Sequence, residues 1–243
     1  MGGLVAVAAV QWVPSVVSLG QWSRARALPG RWCTWRAPAS VGRAVALTFD
    51  DGPSPEHTPV LLDRLDQLGL RASFFATGRH VADHPELVAE VAARGHTVGT
   101  HGWGHGHHLL HGPRWVEAEV TRSVEVLAAA GVTPRWYRPP YGQLSGPSLL
   151  AARRHDLEVV LWSVWGREWT GADPARVAAR VTASLAPGAV VLLHDSDAFS
   201  PPGSAAKVLA ALGPIAEGLD RLGLRTATLD ELMGDPTKRA DQL

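Results

Sequence analysis

From residue 44 onward, short runs of β-branched and aromatic apolar residues alternate with stretches in which apolar positions recur every three to four residues, the pattern of repeated βα units. Seven runs read as strands, at 45–49, 72–76, 97–100, 135–138, 158–162, 189–193 and 225–228. Helical periodicity covers 60–68, 85–93, 115–130, 174–185 and 205–222, with Gly69, Gly95, Gly131 and Gly223 placed as C-terminal stops. This alternation predicts a parallel sheet wrapped by helices, and 243 residues is near the size at which parallel α/β barrels are built.

The ends of the chain break the pattern. Residues 1–42 read as an extension, 43–232 as the barrel, and 233–243 as a flexible polar tail. In the extension an apolar stretch, 4–10, is interrupted by Gln11, Pro14, Ser15 and Ser18, well short of the roughly 20 residues that span a bilayer. No basic residue precedes it, Arg24 being the first, so the charged start of a secretory signal is missing. Two expectations stand for the extension: a peripheral helix packed on the barrel, or a membrane-associated leader. The compartment expected is cytoplasmic or peripheral to a membrane.

Composition adds exclusions. The 23 basic and 23 acidic side chains cancel without long runs of one sign, which argues against a nucleic-acid partner. Cys33 is the only cysteine, so an internal disulfide framework and a thiolate metal cluster are both excluded.

The reactive residue types gather where strands are expected to end. On a parallel barrel that rim is where loops from separate strands converge on one site. Asp50 and Asp51 close the first strand, ahead of Gly52 and Pro53. Two adjacent carboxylates repel unless a cation or an arginine neutralises one of them. His101 and His105 are four residues apart in a glycine-rich loop, so Asp51, His101 and His105 would give a divalent ion three ligands and leave positions open. The blander alternative for this histidine-rich stretch is an ordinary polar loop.

With Asp51 engaged, Asp50 is free to act as a base, kept ionised by Arg138 through a two-pronged hydrogen bond. Arg138 on its own could equally be a surface residue. Pro139 and Pro140 remove two backbone donors, which leaves Tyr141 to offer the first N–H to an oxyanion. His194 ends an apolar strand as a candidate general acid, or as a structural histidine. Trp103, Trp162, Trp165 and Trp169 supply flat apolar faces suited to a pyranose ring, or a buried wall beneath the site.

Taken in order, the segments 48–53, 101–105, 138–142 and 192–195 resemble the motifs of the polysaccharide deacetylase family, the NodB-homology domain of carbohydrate esterase family 4. The resemblance covers about residues 43–232. It implies a distorted (β/α)7 barrel, one divalent metal ion, zinc or else cobalt or another ion, and hydrolysis of an N-acetyl or O-acetyl group on a sugar. Carried onto this chain, Asp50 is the base, Asp51, His101 and His105 are ligands, Arg138 orients Asp50, Tyr141 contributes an oxyanion N–H, and His194 is the acid.

Two positions depart from the family pattern. Gly102 stands where the family usually has Ser or Thr. Trp165 stands near where an aspartate usually tunes the catalytic histidine, leaving open whether Glu168 replaces it or His194 titrates differently. Rival functions are a hydrolase of small amides or cyclic imides on the same barrel, a non-haem iron oxygenase using the two-histidine, one-carboxylate set, and a catalytically silent glycan-binding protein.

Overall fold

The computed structural model of the chain describes residues 33–38 and 42–234. Seven strands form one curled parallel sheet: β1 (Ala44–Asp50), β2 (Ala72–Ala76), β3 (Thr97–Thr100), β4 (Trp136–Tyr137), β5 (Glu158–Val159), β6 (Val164–Trp165) and β7 (Val190–His194). Their order is β5-β4-β3-β2-β1-β7-β6, and a short β8 (Arg225–Thr226) pairs with Ala44 and Val45 of β1. The expected distorted (β/α)7 barrel is the fold observed.

The strand expected at 158–162 is shortened to Glu158–Val159, and β6 follows beyond its expected end. Over 158–165 the chain pairs first with β4, through Glu158 and Val159, and then with β7, through Val164 and Trp165. The turnover lies between them, where Leu161 N–H donates to the Thr34 carbonyl and Ser163 N–H to that of Val190. A single bent stretch therefore serves both edges of the curl. Thr34 and Arg36 bridge to Val160 and Ala189, so the described piece of the extension is hydrogen-bonded into the barrel. The helix-or-leader expectation for the remainder of the extension, and the tail from 235, lie outside the described residues. Among the described residues no helix is long and apolar enough to cross a membrane.

The helices are α1 (Thr58–Gln67), α2 (Gly78–Asp83), α3 (Pro85–Ala93), α4 (Pro113–Ala129), α5 (Gly146–Arg154), α6 (Pro174–Ser184), α7 (Ser204–Arg221) and α8 (Leu229–Met233). Periodicity missed α2 and α8, which span six and five residues, too little for a stripe to declare itself, and α5, whose nine residues begin with Gly146, Pro147 and Ser148. The starts of α5 and α8 are nonetheless encoded. Ser145 accepts from Ser148 N–H, and Thr228 and Glu231 form a capping box.

Strand alternation decides which side chains reach the site. Leu47 and Phe49 pack outward beneath the helices with Leu62, Val191 and Leu212. Thr48 and Asp50 consequently face into the curl. Each fully buried Leu or Phe is worth roughly 1.5–3 kcal/mol, and this stabilisation holds β1 in a register that carries a charged residue inward.

Candidate active site

Asp50 ends β1 directly opposite His194, its register partner on β7. Its carboxylate is buried and accepts from Arg138 Nη1 at 2.6 Å. The same nitrogen donates to Thr48 Oγ1 at 2.8 Å, and Arg138 Nε and Nη2 donate to the carbonyls of Val160 and Leu161. Arg138 is fully buried over the Phe75 ring, so the alternative of a surface arginine is ruled out. Only one of its nitrogens reaches Asp50; the expected two-pronged bond is replaced by a fan of four bonds to β1 and the stretch after β5. Burial raises Asp50 to about 6 against the opposing pull of Arg138 and His194.

Asp51 leaves the strand alternation because its backbone is left-handed, with φ of 80°. This turns its carboxylate into the mouth beside that of Asp50. The turn is held from below by Asp195, which accepts from Gly52 N–H at 3.0 Å and from Thr58 Oγ1 at 2.7 Å. His80 Nδ1 lies 2.9 Å from the Asp51 carbonyl. Burial would raise the Asp51 pKa, but His194, His105 and His101 around it bring it down to about 2.

His101 and His105 meet Asp51 from the loop after β3, which docks on α2 through Gly78 N–H to Gly102 O and Arg79 N–H to Trp103 O. Gly102 has φ of 80°, a conformation glycine adopts without strain, and its N–H donates to Thr100 Oγ1. His105 Nε2 is 3.2 Å and His101 Nε2 3.5 Å from Asp51 Oδ1. His101 Nδ1 donates to the Arg138 carbonyl at 2.7 Å, which leaves Nε2 as the lone-pair nitrogen. Burial, with His105 beside it, keeps that ring neutral, its pKa well below the ordinary value.

Asp51 Oδ1 is buried and has no hydrogen-bond partner. A lone pair aimed at a buried carboxylate oxygen is repulsive unless a cation lies between them. The three ligand atoms lie within 4.8 Å of one another, so the residues fit a divalent ion.

Across the mouth, His194 is set by Glu168, whose Oε1 is 2.6 Å from Nδ1. Nε2 is thereby the nitrogen left for chemistry, 3.8 Å from Asp51 Oδ2. Burial alone would lower the His194 pKa; Asp51, Glu168 and Asp50 raise it to about 9. Glu168 is fully buried in a 3-10 turn, Glu168–Thr170, that follows Arg167 in a left-handed conformation. The carboxylate missing at Trp165 thus reaches His194 from three residues further along.

The tryptophans divide. Trp103 is clamped between α2 and α4, with the Arg122 guanidinium 3.5 Å from its ring and no room for a Cβ on Gly78, so it is a wall and not a face of the site. Trp162 is buried beneath the turn Pro140–Gly142. Trp165 and Trp169 are partly exposed and continue the aromatic row to His194, on which Trp169 packs edge-on at 5.2 Å. Tyr141 has φ of 58°, and the turn's own hydrogen bonds begin one residue later, at Gly142 N–H and Gln143 N–H.

Sequence reasoning gave no role to Thr48, His80, Asp195 or Phe199. Asp195 carried a signal in its position next to His194 at the end of an apolar strand. Phe199 carried none, because it belongs to a loop without a period.

The family model for polysaccharide deacetylase matches residues 38–160. A chitooligosaccharide deacetylase of Bradyrhizobium sp. (strain ANU 289) is 36% identical over 201 residues, covering 78% of this chain and 90% of that protein. A peptidoglycan-N-acetylglucosamine deacetylase of Bacillus cereus is 30% identical over 208 residues, covering 84% of this chain and 94% of that protein. Among solved structures, the family 4 carbohydrate esterase from Streptomyces lividans in complex with acetate superposes with a TM-score of 0.71 at 33% identity, covering 78% of this chain and 94% of that one. The Bc1960 peptidoglycan N-acetylglucosamine deacetylase gives 0.78 at 30% identity, covering 85% and 97%. On these matches, and with two carboxylates, three imidazoles and an arginine brought to one mouth, the chain belongs to the polysaccharide deacetylase family.

Proposed function

We propose that the protein is a metal-dependent hydrolase that removes the acetyl group from N-acetylated sugars of a glycan, with zinc as the ion held by Asp51, His101 and His105. One observation carries the reading: an ionisable carboxylate braced by an arginine and an imidazole braced by a carboxylate flank a single trio of metal-type ligands. When bound there, a divalent ion supplies Lewis acidity that polarises a carbonyl and lowers the pKa of water. Asp50 accepts the proton of the attacking water, Arg138 keeping its carboxylate ionised. The Tyr141 N–H, on its strained turn, donates to the oxyanion as the tetrahedral centre forms. His194 Nε2, with Glu168 holding the other nitrogen, gives a proton to the leaving nitrogen. Trp165 and Trp169 form an apolar wall next to that proton donor, suited to the face of a sugar ring.

The relatives that act on chitooligosaccharide and on peptidoglycan support a β-linked N-acetylglucosamine polymer as the substrate class. Acetate release is to be measured on acetylated chitooligosaccharides, on peptidoglycan and on a panel of small amides and cyclic imides. Release from the glycans supports the reading; turnover of the small amides alone overturns it in favour of the rival hydrolase. Oxygen chemistry gives the Asp50–Arg138 and His194–Glu168 pairs nothing to do, and equal activity with and without dioxygen is expected.

A further inference from the structure

The two imidazoles of the trio are held in different ways. His101 has its Nδ1 hydrogen-bonded to the Arg138 carbonyl, the outer brace that a metal-ligating histidine normally has. His105 has none: its Nδ1 is buried without a hydrogen-bond partner, and its backbone is left-handed, with φ of 58°. What the ring does have is aromatic contact. Phe199 lies parallel to it, centroids 4.1 Å apart and planes at 10°, and Tyr141 meets it edge-on at 4.4 Å. Among the described Phe, Tyr and Trp side chains, the exposed ones are Tyr141, at 47%, and Phe199, at 41%, and both pack on His105. Phe199 thus stays half-exposed while its ring is stacked face to face on the imidazole.

The loop that carries Phe199 is tied down. Asp197 accepts from Gly203 N–H at 2.6 Å and from Ala205 N–H at 2.7 Å, joining the loop to the start of α7. Phe199 also stacks on His80, at 5.8 Å, and His80 is the ring that reaches the carbonyl of Asp51. One phenyl ring from the β7–α7 loop therefore covers a ligand from the loop after β3 and the brace of a ligand at the end of β1.

We propose that Phe199 is a positioning residue for the metal site, its ring fixing the orientation of His105 in place of the missing hydrogen bond. The proposal rests on the reading of Asp51, His101 and His105 as the ligands. Its expected consequence is metal affinity that depends on an aromatic ring at position 199, at the low end of the 10–100-fold losses found when the outer partner of a ligating histidine is removed.

The test is zinc binding by the metal-stripped protein, followed calorimetrically with Zn2+ alone, in wild type and in Phe199→Leu, Phe199→Tyr and His101→Ala. Phe199→Leu is expected to raise the zinc Kd about 10-fold while leaving the thermal midpoint of the metal-free protein unchanged; Phe199→Tyr keeps the ring and is expected to bind as wild type does. The visible spectrum at saturating Co2+ gives a second readout, expected to change in Phe199→Leu because a loosely held His105 alters the coordination geometry. Equal zinc affinity and identical cobalt spectra in Phe199→Leu and wild type overturn the clamp while His101→Ala still abolishes binding. Undiminished binding in His101→Ala overturns the metal site itself, and the clamp with it.

Discussion

Asp50 and His194 stand opposite each other on neighbouring strands, yet the two sides of the mouth are built on different principles. On the Asp50 side the partner is Arg138, at the end of β4, which donates to four acceptors on β1 and the bent 158–165 stretch. On the His194 side the partner is Glu168, held in a short turn, with one oxygen on the imidazole and the other buried without a partner. The first is part of the framework of the barrel. The second is a local arrangement that sets one ring. The same task, placing a charge beside a proposed proton-transfer group, can thus be carried by the core or by a loop, and the two should respond differently to mutation.

Replacing the proposed base, Asp50, should have the largest effect. Asp50→Asn keeps the shape and should lower kcat about 1,000-fold, within the range for loss of general acid–base catalysis, with the zinc content of the purified protein unchanged. A variant that retains a tenth of wild-type kcat would move the base elsewhere.

Arg138→Leu should lower stability by about 3–5 kcal/mol in urea denaturation, because it leaves a carboxylate and three strand-end acceptors buried without their partner. Glu168→Gln should cost less than about 1 kcal/mol, since its amide oxygen can still accept from His194 Nδ1 and the imidazole is free to become neutral. Equal losses would erase the contrast between frame and loop.

The pH profile sharpens the comparison. The base must be ionised, so kcat/KM should fall as pH drops through the Asp50 value of about 6. The acid must be protonated, so it should also fall as pH rises through the His194 value of about 9. Glu168→Gln removes a charge that favours the imidazolium; its alkaline limb should move down toward the ordinary imidazole range while the acid limb stays. An unmoved alkaline limb would separate Glu168 from the acid.

A smaller loss than that of Arg138→Leu is expected at the turn below the mouth. Asp195→Ala leaves Gly52 N–H and Thr58 Oγ1 without their acceptor and should cost about 2 kcal/mol, read as a lowered thermal midpoint. Because the Asp51 backbone is held by that turn, zinc affinity should fall with it.

The contrast also explains what the sequence disclosed. Asp50, Asp51, His101, His105, Arg138 and His194 sit at or just past the ends of expected strands, so finding the strands placed them. Glu168 was visible only as an open alternative, since nothing in the pattern shows how a 3-10 turn after a left-handed Arg167 will point. Phe199 and His80 make their contacts through ring stacking and a backbone carbonyl, which leave no spacing to read. For Trp103 the sequence left a sugar face and a buried wall both open, and the small residue opposite it, Gly78, leaves room for the ring in the packing of α2 and α4.

The central claim is that Asp51, His101 and His105 hold one ion on which deacetylation depends. It is tested most directly by titrating metal-stripped protein with zinc while following acetate release from an acetylated chitooligosaccharide. The account predicts no release without metal, and a rise that ends at one zinc per chain in wild type and is absent in Asp51→Ala. Undiminished release after complete removal of metal, or full activity in Asp51→Ala, would contradict it.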